Sequence, residues 1–215
     1  MIHELCRHHS IFNQFLLELR DVNIQKDRMR FRQNLQRVGQ VMALEISKRL
    51  AYKSVEVTTP LGIAEISVLE EQPVLCTILR AGLPMHQGFL DYFDEAENAF
   101  VTAYRRHHKG GDFEIAVEYL SSPSIEDKEL IIIDPMLATG ASVELVYKTL
   151  LAKGIPRRTH VCSAVATDTG INHLRSKLPE NTTYWTGAID KELTAQAYIV
   201  PGLGDAGDLA YGRKG

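Results

Sequence analysis

Leu130-Ile131-Ile132-Ile133-Asp134-Pro135-Met136-Leu137-Ala138-Thr139-Gly140-Ala141-Ser142-Val143 is the stretch on which the fold reading turns. An apolar run ends in an acid, a short segment with a proline follows, and Thr139-Gly140-Ala141-Ser142 opens a helical pattern. Continuous apolar runs mark strands covered on both faces. A strand leading through a short loop into a helix is the building unit of a parallel α/β sheet. The helix start presents unsatisfied N–H groups and the positive end of a dipole, which suit a phosphate. Gly140 allows close backbone approach, and Thr139 and Ser142 add hydroxyl donors. Asp134 at the strand tip can accept hydrogen bonds from ribose hydroxyls. Residues 134–142 therefore read as a sugar-phosphate cradle. They match neither the GxxxxGK(S/T) P-loop nor GxGxxG.

Working outward, the same alternation recurs. Val74–Leu79, Ala99–Tyr104, Thr159–Ala166 and Thr183–Gly187 read as further strands, with an extra one at Ile115–Leu120. Helical segments fit near 84–93, 142–153 and 169–178. The spacing predicts an α/β fold with a mainly parallel central sheet flanked by helices, whose chemistry gathers at the carboxyl ends of the strands. Before residue 74 the pattern differs. Ile11, Phe12, Phe15, Leu16 and Leu19 lie at helical spacing, and Phe31, Leu35, Val38, Met42, Ile46 and Leu50 make a longer apolar stripe. Arg28, Arg30, Arg32 and Arg37 fall between and read as a solvated helix face. Val55–Val57, a turn at 58–62 and alternating Ala64, Ile66 and Val68 predict a β-hairpin.

The chain has 215 residues, 45% of them apolar and 24% charged, which suits one ordinary globular domain. A formal net charge of −3 gives no overall attraction to nucleic acid. Cys6, Cys76 and Cys162 are widely separated, so neither a disulfide framework nor a CxxC zinc site is indicated. The histidines show no metal-ligand spacing. No apolar run approaches the roughly 20 residues of a membrane span. The N-terminal MIHELCRHHS lacks a signal-peptide layout. The expectation is a cytoplasmic protein.

Residues 130–142 resemble the phosphoribosyl-pyrophosphate (PRPP) motif of type I phosphoribosyltransferases. The Asp134-Pro135 pair is similar to the uracil phosphoribosyltransferase branch of that family. Three more segments carry the resemblance in the family's order. Leu79-Arg80-Ala81-Gly82-Leu83 resembles the pyrophosphate loop, Tyr104-Arg105 a second arginine site, and Tyr198–Asp208 the uracil-binding C-terminal loop. The resemblance runs from about residue 17 to the C-terminus. The sequence departs from the family at Pro84, Ala141, Thr167–Gly170, Leu209 and the His107–Gly111 loop.

The resemblance implies transfer of phosphoribosyl from PRPP to uracil, giving UMP and diphosphate in pyrimidine salvage. It implies Arg80, Arg105, Asp134 and Asp205 as catalytic residues. PRPP would be bound by these four together with Pro135, Met136, Leu137, Ala138, Thr139, Gly140, Ala141 and Ser142. Uracil would be read by Ile199, Gly204, Asp205 and Ala206. On the residues alone, Arg106 and Lys109 read as a solvated loop, with help to Arg105 in PRPP binding as the alternative. Mg²⁺ would be held mainly by the PRPP diphosphate, with no dedicated protein metal site. A homodimer or larger assembly is implied, with GTP activation in parts of the family, and no nucleic-acid or membrane partner. The organisation expected is one domain: N-terminal helices and hairpin over 1–70, a PRPP-binding core over 71–190, and a uracil-binding loop over 191–215. Two other classes remain open on the residues: a nucleic-acid-binding regulator of the same fold, and an enzyme of that fold acting on another base.

Overall fold

The computed structural model describes residues 1–107 and 113–213, with side chains left out of the description over 103–116. In chain order the elements are β1 (Ile2–Glu4), α1 (Phe12–Arg20), α2 (Arg28–Ser47), β2 (Tyr52–Thr59), β3 (Gly62–Leu69), β4 (Val74–Leu79), α3 (Leu83–Leu90), β5 (Glu97–His107) and β6 (Phe113–Ser121). There follow β7 (Glu129–Ile133), β8 (Met136–Leu137), α4 (Ala141–Leu150), β9 (Arg158–Thr167), α5 (Asp168–Lys177), β10 (Thr183–Asp190), β11 (Glu192–Leu193), β12 (Ile199–Val200) and α6 (Ala206–Tyr211).

The central sheet runs β1-β10-β9-β7-β4-β5-β6, with β8 beside β9. Every pairing in it is parallel except β5 with β6. The apolar runs of β4, β7 and β9 occupy its middle, where both faces are covered. Leu75, Ile131, Ile133, Cys162 and Trp185 pack with Phe12, Leu35, Met42 and Phe89 in one layer. Cys76, Val101, Leu130, Ile132 and Val161 pack with Val143, Val146, Ile171 and Leu174 in the other. Parallel strands need this double cover, which is why their sequences lack alternation. Trp185 packs in the core as its place in a strand suggests, and its Nε1 donates to His160 Nδ1 at 3.1 Å. The three cysteines are unpaired, and burial pushes the Cys76 thiol up to about 12.

The α2 stripe is buried as its spacing predicts: Phe31, Leu35, Val38, Met42 and Ile46 all face the core. Asp27 caps this helix, accepting from the amides of Met29 and Arg30. The arginines between the stripe are engaged rather than simply solvated. Arg30 forks onto Glu18 at 2.7 and 2.8 Å, Arg32 Nη1 donates to the Ala210 carbonyl at 2.7 Å, and Arg37 lies over Phe15. The hairpin β2–β3 forms its own two-stranded sheet, with the Thr59 hydroxyl accepting the amides of Leu61 and Gly62 in the turn.

Four elements differ from the sequence reading. β1 joins the main sheet beside β10, although Ile2-His3-Glu4 is too short to show a period. Residues 136–137 inside the expected cradle loop form β8 against Val165 and Ala166. The expected C-terminal loop contains β12 and the helix α6.

Candidate active site

The carboxyl ends of β4, β7 and β9 bring the motif segments together. A Cβ on Gly82 would overlap Thr77 Oγ1 and come within 2.9 Å of the Ile133 carbonyl. The Arg80–Gly82 turn is thus pressed against the strand that delivers Asp134, and only glycine fits there. A Cβ on Gly170 would overlap the Ala138 carbonyl, so the start of α5 backs directly onto the cradle.

Within the cradle, Asp134 is half-buried at the end of β7, and its Oδ1 accepts the Met136 amide at 3.2 Å. Burial raises its carboxyl to about 6. A carboxylate in that range is readily stabilised by polar hydrogens brought by a ligand. Gly140 occupies the N-cap of α4 at φ 80°, a left-handed conformation that other residues adopt at a cost, and no side chain caps this helix. The Thr139 hydroxyl accepts the Ala141 amide at a long 3.4 Å. The first turn of α4 thus keeps amide donors for an incoming anion. Thr167 braces the cradle from behind: its hydroxyl donates to the Ala138 carbonyl at 2.6 Å and accepts the Gly170 amide at 2.9 Å. The departure at Thr167–Gly170 therefore supplies a cap for α5 and a strut for the cradle. Pro84 sits in the first turn of α3, where its missing N–H costs no helical bond.

Arg80 joins this half of the site to the C-terminal segment. Its Nη2 donates at 3.1 Å both to Asp208 Oδ1 and to the Gly212 carbonyl. Among the described residues its Nε is buried without a hydrogen-bond partner. Gly207 is buried beside it, and a Cβ there would lie 3.8 Å from Arg80 Nη2. Asp205 caps α6 by accepting the Asp208 amide at 2.9 Å. The side chains of Ile199 and Ala206 are buried in the core, while Gly204 and Asp205 are exposed. Gly204 has φ 92° and a Cβ there would meet Leu209 Cδ1 at 3.6 Å, so Leu209 packs beneath the turn. The exposed pair Gly204–Asp205 thus lies between buried Leu203 and buried Ala206.

Arg105 and Arg106 lie in β5, opposite Ile115 and Glu114 of β6, and their side chains fall outside those described. Lys109 and most of the His107–Gly111 loop lie outside the described residues.

Comparison with known proteins identifies the family. The family model for uracil phosphoribosyltransferase matches residues 6–213. The chain belongs to the uracil phosphoribosyltransferase family. It is 57% identical over 206 residues to the uracil phosphoribosyltransferase of Porphyromonas gingivalis, covering 96% of this chain and 95% of that one. It is 38% identical to that of Methanothermobacter thermautotrophicus, covering 85% and 84%. A solved structure from Aquifex aeolicus superposes with a TM-score of 0.87 at 28% identity, covering 99% of this chain and 98% of that one. The fold is that of the type I phosphoribosyltransferases.

Some supporting residues escaped sequence reasoning. Arg20, Thr167 and Asp190 make hydrogen bonds that hold the site segments. In the sequence Thr167 shows only as a departure from the family, and Asp190 lies three residues beyond the strand read at Thr183–Gly187. Among the described residues no helix is long and apolar enough to cross a membrane.

Proposed function

We propose that the chain catalyses the reaction of its family, transferring phosphoribosyl from PRPP to uracil with release of diphosphate, and does so with the residues assembled above. The observation that carries this reading is the convergence of Arg80, the 134–142 cradle and the 199–208 segment at one end of the sheet.

In this reading the α4 amides, Thr139 and Ser142 hold the 5′-phosphate, and Asp134 holds the ribose hydroxyls. Pro135, Met136, Leu137, Ala138 and Ala141 supply the backbone of that cradle. Arg80 and Arg105 bind the diphosphate. The buried Arg80 Nε is a donor left for a ligand oxygen, and the bond from Nη2 to Asp208 is one that a phosphate can replace. Mg²⁺ held largely by the diphosphate oxygens would supply further charge neutralisation to the leaving group, and the chain would need no dedicated metal ligand of its own. Backbone groups at Ile199, Gly204, Asp205 and Ala206 read the alternating donor and acceptor edge of uracil. Fixed donors and acceptors reject a base whose edge is altered, because groups are then left unpaired. Holding both substrates aligns the base nitrogen with the anomeric carbon, so the displacement gains its rate from orientation and from stabilisation of the departing charge.

A homo-oligomer belongs to the same reading. The hairpin β2–β3 stands apart from the main sheet and exposes Leu61, Ile63 and Ile66, a surface suited to a second copy. A GTP effector and a cytoplasmic location complete it. The test is UMP formation from labelled uracil, PRPP and Mg²⁺, with cytosine, hypoxanthine and orotate as parallel acceptors and GTP present or absent. The reading expects UMP from uracil and no product from the other three bases. Product from another base in preference to uracil would overturn it.

A further inference from the structure

We infer that Arg20 and Asp190 are positioning residues for the base, forming a clamp that sets the orientation of the uracil-reading segment. The inference rests on the proposed uracil transfer and deepens it.

The two residues come from opposite ends of the chain. Arg20 ends α1 and Asp190 ends β10. Their side chains meet in a two-pronged ion pair, Nη1 to Oδ2 at 2.9 Å and Nη2 to Oδ1 at 3.0 Å. The pair then closes on one residue. Asp190 Oδ2 accepts the Gly202 amide at 2.8 Å, and Arg20 Nη1 donates to the Gly202 carbonyl at 3.3 Å. Both backbone groups of Gly202 are thus taken by side chains, and the peptide planes on either side of it are fixed. Gly202 has φ 58°, and a Cβ there would overlap the Ile199 carbonyl, so neither the residue nor its conformation can readily change.

Position in the chain gives the clamp its meaning. Two and three residues beyond Gly202 lie Gly204 and Asp205, exposed and followed by Ala206 in the core. Gln25 reinforces the same corner, with its Nε2 donating to the Arg20 carbonyl at 2.9 Å. Asp190 is 8% exposed and Arg20 23%, so the pair is shielded enough to hold its geometry yet lies beside the base-reading turn. A planar fork matched to a carboxylate fixes direction as well as distance, which a lysine at position 20 could not reproduce. Among the described residues the clamp's hydrogen bonds run to neither the 134–142 cradle nor Arg80. Its loss should therefore fall on the base and leave PRPP binding alone.

The test uses Asp190→Asn and Arg20→Lys in the full chain, with uracil KM from steady-state kinetics and PRPP affinity from calorimetry without uracil. Each variant is expected to raise uracil KM about tenfold or more, the scale of one charge-assisted hydrogen bond, with PRPP affinity within about twofold of wild type. Arg20→Lys, which keeps the charge, should show the defect despite normal thermal stability. Unchanged uracil KM in both variants, or equal losses for both substrates, would overturn the clamp. If the singles fail to fold, amide hydrogen exchange on the wild-type chain decides. The Gly202 amide should be strongly protected, and exchange at the rate of an open loop would overturn the inference. Wild-type protein run beside the variants separates the two readings: if it makes no UMP the uracil assignment fails, whereas an active wild type with unaffected variants leaves that assignment standing and removes the clamp.

Discussion

The two halves of the site are built in different ways. The half proposed to bind phosphate is local. Residues 134–142 follow one another from strand to helix, and Thr167 braces them from the neighbouring strand. The half proposed to read the base is assembled from afar. Its segment is held by Arg20 from α1, Arg80 from the end of β4, Arg32 from α2 and Asp190 from β10. A local cradle inherits rigidity from the sheet, whose core strands are buried on both faces. A segment tied by side chains depends on the geometry of each tie. The contrast teaches that phosphate binding in this chain should tolerate changes in the N-terminal helices, whereas base recognition should not.

Arg80 links the halves, so its removal gives the largest expected effect. Arg80→Ala should lower kcat/KM for PRPP about 100-fold or more, the scale of two charge-assisted bonds. Initial rates at varied PRPP would show it, and a loss under threefold would break the link. Next comes Gly82→Ala, which forces a methyl group onto backbone and Thr77 between Arg80 and β7. It should cost about 1–3 kcal/mol of stability in denaturant unfolding and weaken PRPP binding with it.

Asp134→Asn should separate stability from activity. Burial raises the folded-state carboxyl from its ordinary 3.8 to about 6. The unfolded chain therefore ionises first as pH rises, and the wild type loses stability from about pH 4 up through about pH 6. The asparagine variant avoids that loss. It should be the more stable protein at pH 7 by about 1–2 kcal/mol, with no advantage at pH 3, while its kcat/KM for PRPP falls about tenfold. Thermal melts across that range, with matched kinetics, would show both changes. The smallest effect belongs to Thr167→Val, which removes the α5 cap and the strut to Ala138. It should cost about 1 kcal/mol and raise the PRPP Kd about threefold, leaving uracil KM unchanged.

The same contrast explains what could be read from sequence. Val74–Leu79 and the 130–142 segment were legible because strand, turn and helix signals are local, and the motif residues follow them without a gap. Strand β8 inside the cradle was not, since two residues show no period and the pairing with Val165 and Ala166 depends on the fold. Helix α6 hides in a glycine-rich run whose composition suggests a loop, and packing of Ala206 and Ala210 into the core makes it helical. The helix arginines resisted reading for the same reason. Arg30 and Arg32 are held by Glu18 and Ala210, contacts that spacing along α2 cannot reveal. Glycine at 202 could be expected in a turn, but its clamp requires Arg20 and Asp190 to meet across 170 residues of sequence.

The most direct test of this account is one set of UMP-synthesis kinetics, with uracil and PRPP both varied, on wild type, Thr167→Val and Asp190→Asn. The account predicts that the wild type makes UMP, that Thr167→Val shifts only the PRPP constants, and that Asp190→Asn shifts only the uracil KM. A wild type inactive on uracil, or variants that shift both substrates together, would contradict it.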